Sequence, residues 1–135
     1  MRKLRAAILG VGIFAGLGGA THGPGEILQG NVAPAAIMIK AWPQLTTTAL
    51  GGEPAMTIIP SYIAAGILAI VFGVLVTAWA SKFVERRTGG ALLILLSIAM
   101  LLVGGGVVPP FFGVAAGIMG ILLNRNTGKQ GVVDA

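Results

Sequence analysis

Four apolar runs, divided by short charged or glycine- and proline-rich breaks, constrain this chain more than any other feature. They cover Ala6 to Ala20, extendable through Thr21, His22 and Gly23, then Met56 to Ala80, Ala91 to Val108, and Phe111 to Leu123. A membrane-crossing helix needs about 20 predominantly apolar residues, with about 17–25 the usual range. The second run, 25 residues, and the third, 18, meet this alone. The first and fourth, 15 and 13 residues, have to borrow flanking residues or thin the bilayer locally. Only 10% of the 135 residues are charged, against 56% hydrophobic, which leaves too little polar surface to clothe a water-soluble globule. The expected fold is therefore all-α, a four-transmembrane-helix bundle. Its spans are about 6–23, 56–80, 91–108 and 111–124, with a segment at 24–55, a loop at 81–90 and a tail at 125–135.

Basic residues near helix ends remain on the cytoplasmic side. Arg2, Lys3 and Arg5 precede the first span, Lys82, Arg86 and Arg87 lie between the second and third, and Arg125 and Lys129 follow the fourth. Lys40 alone falls in the other class of loop. This asymmetry predicts an integral protein of the plasma membrane with both termini, loop 81–90 and tail 125–135 cytoplasmic, and segment 24–55 external. It also accounts for the net charge of +5 as topology anchors beside anionic headgroups. The cations are scattered over three flanks without an aromatic stacking platform, so nucleic acid is not an expected partner. Trp79 and Phe83, Tyr62, and Phe111 and Phe112 fall near predicted span ends, where half-dry rings are favoured. The basic start and Gly18-Gly19-Ala20 also fit a signal peptide. The Gly-rich core, with Gly12 and Gly16 at small-xxx-small spacing, favours a retained helix instead.

In lipid, helices associate through close contact at small residues. Gly12 and Gly16, Gly66 and Gly73, and Gly113 and Gly117 are the expected packing positions of the first, second and fourth helices. They serve packing within the bundle, or else a homo-oligomer. Gly104-Gly105-Gly106 before Pro109-Pro110 predicts a loosened helix end and a tight outer turn. The same punctuation, Gly18-Gly19-Ala20 before Pro24, recurs at an offset of 86 residues, a faint sign of duplicated hairpins.

The segment between the first two spans holds most of the unexplained polar groups. Ala33 to Trp42 reads as a short interfacial helix, with Pro34 in its first turn and a stop before Pro43. His22 and Glu26 are four apart, which aligns them on a helix face, although Gly23-Pro24-Gly25 argues against a regular helix. They either cap the helix end and face water, or act as ligand or proton groups at the hydrocarbon edge, where an ionisable residue is functional by default. Glu53 before Pro54 either faces the positive N-terminal end of the second helix or joins an external polar pocket with His22, Glu26, Gln29, Asn31 and Tyr62. One His and two carboxylates could in principle hold a metal, yet no ligand motif is present, so no metal or other cofactor is assigned. A Ser-His-Asp triad would need Asp134, the sole Asp, which lies across the membrane from His22. With no Cys, thiolate and disulfide chemistry are excluded. No nucleotide-binding glycine loop opens a helix after a strand.

His22-Gly23 at the end of the first helix, the following Ile27-Leu28 and Gly30, and three more helices with a short basic turn before the third resemble the DoxX-like family of small four-helix membrane proteins. That family commonly has a Lys where this chain has Glu26. The resemblance implies a connection to membrane redox metabolism. Small size, bare cytoplasmic loops and a poor catalytic inventory make the leading expectation a non-enzymatic accessory or subunit-type protein, in a redox system by the resemblance, with the bilayer and a membrane protein or a second copy as partners. The other expectation is a small-molecule or lipid-binding or transport protein with an outward-facing polar pocket.

Overall fold

The computed structural model describes residues 2–43 and 54–133. The chain is mostly helical. The first helical stretch comprises α1 (Arg2–Ala20) and α2 (His22–Ile27), joined through Thr21. A two-stranded ribbon, β1 (Met38–Lys40) with β2 (Pro54–Met56), precedes α3 (Tyr62–Lys82), α4 (Gly89–Leu102) and α5 (Val108–Val133). Three stretches are long and apolar enough to cross a membrane: Arg2–Ile27, Tyr62–Lys82 and Val108–Asn126. At 1.5 Å per residue they measure about 39, 32 and 29 Å, against a hydrocarbon core of about 30 Å.

α4 has 14 residues, about 21 Å, and is shorter than the predicted 91–108 span because the chain leaves the helix at Val103. Pro109 and Pro110, expected to turn the chain, instead occupy the first turn of α5, where a missing N–H leaves no intrahelical bond unmade. The reversal falls at 103–107, where Gly104 (φ +111°) and Gly106 (φ +79°) adopt backbone that side chains rarely tolerate. The 56–80 run is likewise divided. Met56 ends a strand, and α3 starts at Tyr62 after Ser61, whose hydroxyl accepts from the Ala64 N–H at 3.4 Å.

The predicted 33–42 helix is absent. Its second half is β1, paired antiparallel with β2 in the register Met38↔Met56, Ile39↔Ala55, Lys40↔Pro54. A small strand ribbon thus interrupts the expected all-α fold. The run lacks a polar face, and alternation decides its fate: Ile39 is buried while Met38 and Lys40 are exposed, as a half-buried strand requires. Ile39, Ala41 and Ala55 form a small core with Trp42 and Tyr62. Backbone bonds then tie the ribbon and the residues after it to the end of α4 and the 103–107 turn. Ile58 N–H donates to Leu102 O at 2.9 Å, and Val107 N–H to Pro54 O at 3.1 Å.

α1 lies between α3 and α5, while α4 packs on α5 and touches α3. The main core joins Ile8 and Ala15 of α1, Val76 and Ala80 of α3, Leu93 and Met100 of α4, and Ala116 and Leu123 of α5. Backbones approach closely where glycines meet. A Cβ on Gly16 would overlap Gly73 O and Thr77, and one on Gly73 would overlap Gly16 O. Gly12 abuts Ala80, Gly66 meets Gly23, Gly113 meets Ser97 and Gly117 meets Gly90. Large apolar side chains such as Phe14, Leu95 and Phe111 point outward, 58%, 61% and 65% exposed, as a surface immersed in lipid would have them.

Candidate functional site

Local chemistry explains the joint between α1 and α2. Pro24 has no N–H to return to the Ala20 carbonyl, so the helical ladder breaks there and α1 ends. The Thr21 carbonyl is met from outside by the Trp42 indole N–H at 2.9 Å. Gly23 and Gly25 then let neighbouring backbones close in. Gly23 faces Gly66 O and Ile70, and Gly25 faces Ala41 O and the Trp42 ring. Helix therefore resumes through His22-Gly23-Pro24-Gly25, despite the expectation of an irregular stretch. With Gly23 against α3 and Gly25 against the ribbon, His22 and Glu26 are directed to the 103–107 turn.

Both are buried, His22 at 4% exposure and Glu26 at 0%. The His22 ring lies against Gly106, where a Cβ would come within 2.6 Å of Cε1 and Nε2. The Glu26 carboxyl lies against Gly104, where a Cβ would come within 2.7 Å of Cδ. Two left-handed glycines thus form a cradle that any side chain would fill. His22 Nδ1 is 2.8 Å from Gly18 O; a carbonyl only accepts, so Nδ1 carries the proton. Neither oxygen of the Glu26 carboxyl has a hydrogen-bond partner among the described residues. A buried polar group ordinarily finds one, and a carboxyl left without one is costly.

The other predicted polar residues hold the external segment. Gln29 donates from Nε2 to Lys40 O at 2.9 Å and Ala41 O at 3.2 Å, clamping α2 to β1. Asn31 Oδ1 accepts from the Ser61 hydroxyl at 3.0 Å. Tyr62 packs on the ribbon core and, with Gln29, Ile39 and Lys40, lines an open cavity of about 540 Å³. Glu53 lies outside the described residues. Among the described residues no three of His, Cys, Asp and Glu come together as metal ligands would. Sequence reasoning did not connect the Gly104-Gly105-Gly106 triplet with His22 and Glu26. Its signal was the triplet itself, since consecutive glycines allow both left-handed backbone and close approach. Comparison of the chain with protein-family models, with curated proteins and with solved structures finds no match.

Proposed function

We propose that the chain is a small multi-pass membrane protein that binds a small ligand at Glu26 and His22, the ligand presenting a cationic or hydrogen-bond-donating group to the carboxyl. One observation carries this reading: a fully buried carboxyl, near the end of a helix long enough to span the membrane, with both oxygens unanswered. Charged groups at such depth are rare in proteins and mark ion, proton or ligand paths. In the proposed topology α4 completes a fourth crossing, both termini are cytoplasmic, and the ribbon end faces outward in the plasma membrane. The site then lies at the outer end of the bundle, buried beside the ribbon.

Dicyclohexylcarbodiimide, an apolar reagent, tests this. The carboxyl oxygen adds to its central carbon while the carboxyl proton passes to a nitrogen, and an oxygen-to-nitrogen acyl shift fixes the adduct. Glu26 should be modified in the intact detergent-solubilised protein and half-exposed Glu85 spared. Sodium, potassium or methylammonium chloride should reduce the labelling relative to choline chloride at equal ionic strength. An unreactive Glu26, or labelling indifferent to all three, refutes the reading.

A second reading is favoured by the length of α4. A helix of about 21 Å that leaves Leu95 and Ile98 outward is mismatched to a bilayer, and association relieves such mismatch. It makes the protein an accessory subunit beside a membrane partner or a second copy, in a redox system if the DoxX-like resemblance extends to function. Native mass spectrometry after mild extraction separates the two readings. A reproducible protein partner supports the second, and a lone chain with a retained small molecule supports the first.

A further inference from the structure

At the end of the bundle opposite the ribbon, a cavity of about 310 Å³ opens between the first turns of α1 and the last turn of α3. It is lined by Arg5, Ile8 and Leu9 of α1, Ser81 and Lys82 of α3, and Glu85 of the following loop, with Leu123 of α5 at its floor. The walls divide by chemistry. Ile8 and Leu123 are buried members of the main core, so the bottom is apolar, whereas Arg5, Lys82 and Glu85 make an exposed charged rim. Arg5 pairs with Glu85, Nε to Oε1 at 3.0 Å, both side chains about half exposed. The rim therefore carries two cations against one carboxylate. Two helices long and apolar enough to cross a membrane, Arg2–Ile27 and Tyr62–Lys82, have their charged ends there, where headgroups would lie if they cross.

We propose that this cavity binds the phosphate headgroup of an anionic phospholipid, with Arg5 and Lys82 on the phosphate and the first acyl carbons over Ala6 and Leu9. Three observations meet in one place: paired cations, an apolar floor continuous with the core, and the level at which headgroups lie. Basic pockets between membrane helices take anionic headgroups in this way, and the volume is at the lower end of small-ligand sites, about 300–1,000 Å³. Glu85 sets the affinity from the other side, since it competes with the phosphate for Arg5. The proposal rests on membrane insertion alone and is independent of any role for Glu26 and His22.

The test titrates phosphatidylglycerol into the protein in neutral detergent at physiological salt and counts bound lipid by native mass spectrometry. Phosphatidylcholine serves as the comparison lipid. The double variant Arg5→Gln/Lys82→Gln should weaken phosphatidylglycerol binding roughly 25-fold, about fivefold for each cation removed. Arg86→Gln/Arg87→Gln removes the same charge at the same end but outside the cavity, and should weaken binding less than about twofold. Glu85→Gln should tighten binding, a gain that a misfolded variant would not give. Equal losses in the two double variants would reduce the effect to surface attraction and overturn the site. So would phosphatidylcholine binding equal to phosphatidylglycerol, displacement of the lipid by millimolar inorganic phosphate, or unchanged affinity in Glu85→Gln.

Discussion

Glu26→Met tests whether the buried carboxyl is retained at a cost to the fold. Burying a polar group without a partner costs about 1–3 kcal/mol, and Glu26 buries two unanswered oxygens against the Gly104 cradle. Methionine is unbranched and flexible, so it can follow the path of the glutamate side chain, with a repacking cost below about 1.5 kcal/mol. The net expectation is a variant more stable by about 1–2 kcal/mol in ligand-free detergent. Glu26→Gln keeps the shape and still buries unanswered polar atoms, so it should stay within about 0.5 kcal/mol of the parent. Reversible unfolding by rising dodecyl sulfate in mixed micelles, followed by tryptophan fluorescence, measures both. The reasoning fails if Glu26→Met is the less stable protein by about 1 kcal/mol or more, since the carboxyl would then be supplying a favourable interaction to the fold.

Further expectations concern glycines and topology. Gly104→Ala and Gly30→Ala both force a side chain onto left-handed backbone, worth about 1–2 kcal/mol. Only Gly104→Ala also drives a methyl into the Glu26 carboxyl, so it should lose markedly more stability, read in the same unfolding assay. Gly16→Ala wedges α1 from α3 against Gly73 O and should cost about 1–3 kcal/mol, whereas Gly10→Ala meets nothing within 4 Å and should leave the midpoint unchanged or raise it. The chain has no Cys, so single probes report sidedness. Exposed Asn31→Cys should react with an impermeant maleimide in intact cells and exposed Thr88→Cys only after permeabilisation. The reverse pattern would invert the proposed orientation.

The long apolar helices were legible because few charges interrupt them, and lipid-facing surfaces need no polar stripe. Their ends were less so. Pro109-Pro110 reads as a turn, and it enters the first turn of α5 only because Gly104 and Gly106 complete the reversal before it. The 33–42 run reads locally as a helix, with Pro34 in a first turn and a stop before Pro43. Pairing with Pro54–Met56, across a long sequence separation, selected the strand. At the site, the four-residue spacing put His22 and Glu26 together, but their burial depended on a turn far along the chain. No local pattern carries that information, because Gly104 and Gly106 act by what they lack, a side chain where the carboxyl and the imidazole lie.

The tie between the ribbon and the 103–107 turn has a consequence for biogenesis. Glu26 leaves the ribosome early, while its glycine cover and the bonds made by Ile58 and Val107 wait for α4 and the 103–107 turn after it to be synthesised. Until then the carboxyl lacks the cover that the folded protein gives it. A chain truncated before Gly104 leaves that group uncovered, which in the proposed membrane topology is a polar flaw for quality-control proteases to recognise.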